Sequence, residues 1–478
     1  MAGIYQPGEE KVLSGAYSFL KSFIEEQTTP GLRGKLALPI VADWGPIGEF
    51  VRVRNKQAAV NIFGEVEDFD LIWADSIRPS SISIRPTQVL LYRLAGASAK
   101  KAFLILVGPS GDCIRVEAKY EGEFGNRLKV AVQPNLMDAA LIDILIYLDA
   151  ELVESQTGAT NAELVAAFAG SEYVTLTKIS DELPIPNAGT NLADGDSGKS
   201  VEATKYTDYL DKLITKKGEY GVFTLGVADA ALNAAAQDWT DEQRYKGNYI
   251  KFVFGGDANR DKNKADIIQA SKDANHMAVI NVGSGVKWRG KTYSSSKVAV
   301  YIASLAAAMP LNYTMALYIT NFDEVTVEWD QDTDLIDLIE AGTLMLNKDN
   351  DKVIIQEPVN TLTVPGPDQS SDFGKIRVVD TFDSILLAEE EAGKEWIRKQ
   401  PNTNSPARRA AFCQMMKEKV FAPLAAIEVI APDYEYMEDP LYYGQDAIYT
   451  PKRSAGHFVA GFRHQDVLEK IYTYNKAK

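Results

Sequence analysis

From residue 201 to about 357 the chain alternates apolar strand-like runs with helical ones, and this rhythm restricts the architecture more than any other feature. Residues 201–216 are amphipathic, 222-VFTLGV-227 is strand-like, 228–246 is Ala-rich and helical, and 249-YIKFVFG-255 is strand-like again. A helical 262–274, a strand 277-MAVINVG-283, the apolar helix 298-VAVYIASLAAAM-309, a helix at 332–342 and a strand 353-VIIQE-357 follow. Such alternation predicts a largely parallel sheet covered by helices. A longer helix over 405–429 would start at Asn404 or Ser405, with Pro406 in its first turn and Pro423 ending or kinking it.

Upstream the pattern differs. The segment 32-LRGKLALPIVADWGPIGEFVRV-53 reads as strand, turn at Trp44-Gly45-Pro46, and strand, and 88-QVLLYRLAG-96 is a further apolar run. Short strands with turns between them then occupy 103–108, 113–120, 127–133, 143–149 and 173–179, with one helical run at 161–170, which fits an inserted β-sandwich. The stretch 184-PIPNAGTNLADGDSGKS-200 has linker composition. The expected fold is therefore a mixed α/β multidomain chain. Its divisions are an N-terminal β arm (1–30), a small α/β unit (31–100), the inserted β-sandwich (101–198), a core α/β domain (199–365), a C-terminal part of that core (366–460) and a C-terminal β arm (461–478).

Both ends read as strands without a local partner. Val12, Leu13, Tyr17, Phe19 and Phe23 mark the first, in 11-KVLSGAYSFLKSFIEE-26; Val467, Leu468, Lys470, Ile471, Tyr472 and Tyr474 mark the second, in 467-VLEKIYTYNK-476. Termini usually fray, so apolar strand-like ends imply something that ties them down, either the chain's own sheet or a neighbour's. The first arm is acidic (Glu9, Glu10, Glu25, Glu26) and the last is basic (Lys452, Arg453, Arg463, Lys470, Lys476, Lys478).

The remaining chemistry is sparse. A net charge of −16 over 478 residues argues against coating nucleic acid. No apolar run is long enough to span a bilayer, and two distant cysteines, Cys113 and Cys413, suit buried thiols in a reducing compartment. The Gly198-Lys199-Ser200 end of 193-ADGDSGKS-200 resembles a phosphate loop, but Ala193 stands where that motif needs glycine, and Asp194 and Asp196 carry the wrong charge. The glycine turns at 255–257 and 283–285 follow apolar strands, as nucleotide loops do, and keep open an alternative reading as an α/β nucleotide-binding protein or enzyme. His276, His457 and His464 lack ligand spacing. The acidic run from Asp323 to Glu340 lacks the calcium-loop pattern. No catalytic, cofactor-binding or metal-ligating residue is assigned.

Five segments, taken in order, resemble the tail sheath proteins of contractile phage tails and related particles. They are 30-PGLRGKLALPIVADWGP-46, 120-YEGEFGNRLKVAV-132, 295-SSKVAVYIASLAAAMPLNYTMAL-317, 340-EAGTLMLNKDNDKVIIQEPVNTLT-363 and 373-FGKIRVVDTFDSI-385, the last resembling that family's Lys-Ile-Arg strand. One departure is the alanines of 303–308, where many relatives have an Ala-Gly pair. The resemblance implies a non-enzymatic subunit without cofactor, stacked as hexameric rings around an inner tube in a virion tail assembled in the host cytoplasm. The terminal arms would complete β-sheets of neighbouring subunits, with hinges near Thr28–Gly31 and Gly456–Gly461. Its partners would be itself, the tube protein, and baseplate and tail terminator proteins, with no direct nucleic acid and no membrane insertion. Arg408, Arg409, Lys417 and Lys419 are the candidate tube contacts.

Overall fold

The computed structural model describes residues 33–74, 84–367, 369–399, 403–445, 447–470 and 473. The N-terminal arm positions Val12, Leu13, Tyr17, Phe19 and Phe23, the hinge at 28–31, and Ile471, Tyr472 and Tyr474 lie outside them.

A seven-stranded sheet forms the centre, in the order Thr343–Leu344, Val279–Val282, Lys251–Phe254, Val222–Phe223, Lys35–Val41, Gln88–Leu94, Phe50–Val53. Every pairing is parallel except that of the edge strand Phe50–Val53 with Gln88–Leu94. Parallel strands must be covered on both faces. One face is sealed by the helix Ser295–Ala308, whose apolar residues surround its whole axis and which is buried almost throughout. The other is sealed by Ala203–Leu213 and Ala230–Tyr245, with Tyr209, Leu213 and Trp239 against Phe223 and Phe252. No helix among the described residues is long and apolar enough to cross a membrane.

Three sequence expectations are corrected here. Residues 31–100 do not form a unit of their own, because Lys35–Val41 pairs with Val222–Phe223 and the sheet runs through both segments. The insertion separates in sequence what hydrogen bonding joins in space. The supposed linker at 184–200 contains the strand Asn187–Asn191, paired with Leu128–Pro134; ladder bonds need only backbone, so its polar composition concealed it. Finally, 373–385 is not a strand: a tight turn at Ser371–Gly374 leads into the helix Ile376–Arg398. Its buried stripe includes Arg377, Asp380, Thr381, Asp383 and Ser384, and those polar residues hide a helical period that apolar ones would have shown.

The insertion is a β-sandwich. One sheet has the order Asn187–Asn191, Leu128–Pro134, Ile142–Leu148, Glu151–Gly158, and the other Phe103–Val107, Asp112–Ala118, Val174–Lys178. Between them pack Ile114, Val116, Val130, Ile144, Ile146 and Phe168, joined by Trp44 from the core. Trp44 meets Tyr120 and Phe124 with ring centroids 5.2 and 4.8 Å apart. Beside it the fully buried Arg93 donates to the carbonyls of Gly45 (2.6 Å) and Glu121 (2.9 Å). Burial lowers its pKa to about 10, with Glu121 and Asp43 opposing the shift, so it stays charged. The two free cysteines are buried in different layers, Cys113 in the sandwich and Cys413 against the C-terminal helices.

Ser405 does cap the C-terminal helix, accepting from the Arg408 amide, and Pro406 sits in its first turn. Pro423 bends it: the helix Pro406–Met416 passes through a wide π turn at Lys417–Phe421 before one more turn, Ala422–Ala426. Proline lacks the amide that would bond four residues back, and a widened turn accommodates the loss.

Close packing around Ser295–Ala308 yields a test. Ala303 is fully buried there, so Ala303→Leu should destabilise the chain by about 1–3 kcal/mol through overpacking, measured as a lower urea midpoint at unchanged slope.

Candidate assembly interface

Where the described chain begins, Arg33 is already inside the protein. Its guanidinium meets Asp380 at 2.7 Å, and Lys251 pairs with the other oxygen of the same carboxylate. One helical turn on, Asp383 takes both arms of Arg244 at 2.9 and 2.7 Å. All five side chains are at least nine-tenths buried. Burial alone would push the Asp380 carboxyl up, but Arg33 and Lys251 more than offset it and hold it below its ordinary range. Gly34, at φ 75°, then turns the chain into the central sheet, its amide donating to the Ala307 carbonyl.

The other end of the chain is fastened to the same helix. Arg377, three residues before Asp380, donates to the carbonyls of Leu311 and Gln465 (both 2.8 Å) and lies 3.3 Å from Asp466. Lys375 reaches Asp466 (2.6 Å) and Glu469 (3.4 Å), while Thr314 donates to Glu469 and Lys470 pairs with Glu357 at 3.0 Å. Burial is the largest single influence on Asp466 and opposes its ionisation, yet the hydrogen bond and charge of Lys375, with the Val467 amide, together outweigh it and hold the carboxyl down. His464, half-buried beside Arg377, is pushed toward its neutral form by desolvation and then by the Arg377 charge. The root of the C-terminal arm is thus tied inward through its own acids. Of its basic residues, Arg463 pairs with Asp433 and Lys470 with Glu357.

Between these roots stands a small sheet. Glu435–Glu438 pairs antiparallel with Phe458–Gly461, and the two segments meet again, two residues out of that register, where His464 bridges Ile430. Tyr436 and Phe458 pack on Phe412 and Phe421 from the C-terminal helices. The expected hinge at Gly456–Gly461 is therefore largely a paired strand, held by main-chain bonds. The sheet has two strands, so among the described residues each carries one edge with no further strand. Val467, Leu468 and Lys470 follow it without strand structure, with Leu468 exposed.

The four candidate tube contacts do not act as one face. Arg409 is turned inward, 2.5 Å from Glu438 and over the Tyr443 ring, and Lys419 pairs with Glu395 at 2.6 Å. Arg408 lines a groove of about 470 Å³ with Trp396, Phe412, Tyr436 and Phe458; Lys417 lies half-buried in the π turn.

The glycine turns serve packing. A side chain at Gly255 would strike the Ser295 backbone, and at Gly256 the Arg260 side chain; Gly285 abuts Thr326, Tyr293 and Asp261. The N-terminus of Ser295–Ala308 already holds an anion, Asp261, which accepts from the Ser295 amide (2.7 Å) and hydroxyl. The space a phosphate would need is filled by the protein's own carboxylate. Lys199 of the phosphate-loop-like stretch pairs with Glu123 (2.8 Å) and Asp43 (3.4 Å), fastening sandwich to core. His457 stacks on Tyr442, and the His276 ring nitrogen accepts from the Ala278 amide. Part of the acidic run is engaged in ion pairs, Glu324 with Lys287 and both Asp334 and Asp337 with Lys264. No metal-holding cluster occurs among the described residues.

Reasoning from sequence missed Arg33, Arg244, Lys251, Arg377, Asp380 and Asp383. One signal was available: Lys251 interrupts the otherwise apolar 249-YIKFVFG-255, and a lysine in a buried strand needs a buried acid.

Residues 199–361 match the model of the phage tail sheath protein central domain, and residues 95–197 that of the phage tail sheath protein beta-sandwich domain. The chain belongs to the phage tail sheath protein family. It is 24% identical over 414 residues, 80% of each chain, to the phage-like element PBSX protein XkdK of Bacillus subtilis strain 168. It is 30% identical over 142 residues, 29% of this chain and 39% of the relative, to the tail sheath protein of Clostridium phage phiCD119. Among solved structures, the sheath tail protein of Desulfitobacterium hafniense superposes with a TM-score of 0.69 at 20% identity, covering 94% of this chain and all of that one. The helical sheath of the anti-feeding prophage in its contracted state gives 0.53 at 10% identity, covering 98% and 100%.

Two predictions follow from the buried charges. Asp380→Asn strands Arg33 and Lys251 without a carboxylate and should cost about 3–5 kcal/mol in urea unfolding, whereas Asp433→Asn, opposite the exposed Arg463, should cost under about 1 kcal/mol. Asp261 is pushed up to about 6 by burial, against the hydrogen bonds of Ser295. Folding therefore favours its protonated form: the contribution is full below the unfolded value of 3.8 and is lost, by about 3 kcal/mol, as pH rises through about 6. Asp261→Asn cannot ionise, so melting temperatures of variant and wild type should diverge in the variant's favour between pH 4 and 7. A gap independent of pH would refute this assignment.

Proposed function

We propose that the chain is the structural subunit of a contractile tail sheath, stacked as hexameric rings around an inner tube and linked by terminal strands exchanged between subunits. The observation that carries this reading is the two-stranded sheet Glu435–Glu438/Phe458–Gly461, in which each strand has, among the described residues, one edge with no further strand. Backbone groups along such an edge bond readily to an added strand, and alternate side chains give the match its specificity. The first arm alternates Leu13, Tyr17, Phe19 and Phe23 against small or polar residues, and the second, from Val467 onward, departs from the ion-paired anchor at Lys375 and Arg377.

A head-to-tail contact of this kind does not close on itself and propagates into a helical assembly. Contraction would then be rigid-body movement of the domain bodies while the exchanged strands stay joined, driving the tube through the target cell envelope. The contracted state of the structurally similar anti-feeding prophage sheath supports contraction as the mode of action. Partners on this reading are further copies of the chain, the tube protein, and baseplate and terminator proteins, with the particle tail as location. Arg408 and Lys417 are the tube-contact candidates left without an internal ion pair among those described.

Deleting residues 1–27 should leave a folded, soluble chain with the melting temperature of the parent, since the described core begins at Arg33, but abolish tubes in negative-stain images. Normal tubes from the truncated chain would sink strand exchange by this arm.

A further inference from the structure

The helices Ile376–Arg398 and Pro406–Met416 flank the groove of about 470 Å³ described above. Its walls are aromatic: Trp396 and Phe412 meet with ring centroids 5.5 Å apart, and Tyr436 and Phe458 of the two-stranded sheet pack on Phe412. Residues 399–405 connect the two helices. Ile397 and Arg408, with Thr403 and Asn404, therefore mark one end of the groove, and Glu389 and Met416 mark the other.

Three charged side chains line this groove. Arg409 is paired with Glu438. The side chains of Glu389 and Arg408 have neither an ion pair nor a hydrogen bond among the described residues. Burial pushes the Glu389 carboxyl up, and no cation among those residues offsets it. A carboxylate left beside aromatic rings suits a cation, whose attraction to the ring faces adds to that of the charge. Glu389 and Ile397 are eight residues apart on one helix, and Arg408 and Met416 on the other, which is about 12 Å at 1.5 Å per residue. Along its length the groove thus offers an anion, an aromatic stretch and a cation.

An extended segment turns alternate residues to one side at about 3.3 Å per residue. A matching occupant carries a cation, an aromatic ring and an anion at positions i, i+2 and i+4, about 13 Å from first to last. The first arm has this triplet in Lys21, Phe23 and Glu25. The second arm has no acidic residue after Glu469, and its comparable Asp466-Leu468-Lys470, read in reverse, is already paired with Lys375 and Glu357. Lys21 stands twelve residues before Arg33, a tether of up to about 40 Å.

We propose that the first arm of a second copy lies in this groove, with Lys21 beside Glu389, Phe23 against Trp396 and Phe412, and Glu25 on Arg408. The contact deepens the strand-exchange reading and rests on it, because that reading makes the acceptor a second copy. It gives the arm a direction, from the Glu389 end toward the connection between the helices. It also gives a register, since a slip of one residue would turn Lys21, Phe23 and Glu25 away from the groove. Arg408 is then withdrawn from the candidate tube contacts.

The test uses the full chain. Isotope-labelled and unlabelled chains are mixed as separated subunits, allowed to assemble, and treated with a carbodiimide, which joins a lysine to a carboxylate in contact with it. The expected product is a Lys21–Glu389 cross-link with one labelled and one unlabelled partner. Lys21→Glu or Glu389→Lys should each remove it and lower the tube yield several-fold, and a chain carrying both should recover cross-link and tubes. Arg408→Glu should lower the yield likewise and recover with Glu25→Arg. Absence of the mixed cross-link, whether or not tubes form, overturns the contact; so does a cross-link confined to single-isotope pairs, or a double reversal that recovers nothing. Tubes without the cross-link would leave the sheath reading intact and remove only this contact, whereas the mixed cross-link without tubes would uphold the contact and count against the sheath reading.

Discussion

Asp380 holds its negative charge inside the protein, and much of the chain's long-range order depends on how that charge is balanced. Its carboxylate joins Arg33 at the entry to the sheet, Lys251 in a central strand, and the helix that carries Asp380 itself. Buried ion pairs of this kind give little net stability over apolar packing, because desolvation consumes most of the attraction. What they give is a unique arrangement: any shift of the helix along the sheet would strand three charges in a low-dielectric interior. Arg377 and Lys375, just before Asp380, tie the last described segment to the same helix through Asp466 and Glu469, in a more solvent-exposed cluster.

The consequence is mechanical. The first and last described segments are both tied to neighbouring turns of one helix, through Asp380 at one and through Lys375 and Arg377 at the other. On the proposed reading, a subunit that keeps hold of its neighbours while its body rotates would benefit from arms that share one anchor, near the sheet Glu435–Glu438/Phe458–Gly461, whose outer edges carry no further strand among the described residues. The sandwich hangs from the far side of the sheet by Arg93, Trp44 and Lys199, away from this machinery.

Much of the architecture was legible from residues alone. The strands at 249–255 and 277–283, the helices at 228–246 and 298–309, and the capped start at Ser405 appear close to where apolar period and capping chemistry put them. The failures share a cause. Asn187–Asn191 is polar and the stripe of Ile376–Arg398 is charged, so a method that follows apolar periodicity passes over both. The glycine turns at 255–257 and 283–285 suggested nucleotide loops because glycine also permits close approach to a phosphate; here it permits close approach of Ser295, Arg260 and Asp261.

Sequence alone determined the helix-covered parallel sheet, the inserted β-sandwich and the membership implied by five ordered segments, because each is written in local pattern: apolar period, turn residues and short motifs. Tertiary structure alone decided that residues 35–94 and 222–344 share one sheet, that Asp261 fills the helix terminus a ligand would need, and that Arg33, Arg377 and Asp380 gather the first and last described segments onto one helix. Those are pairings between residues tens to hundreds of positions apart, and a charge states that it needs a partner without stating which one it will find.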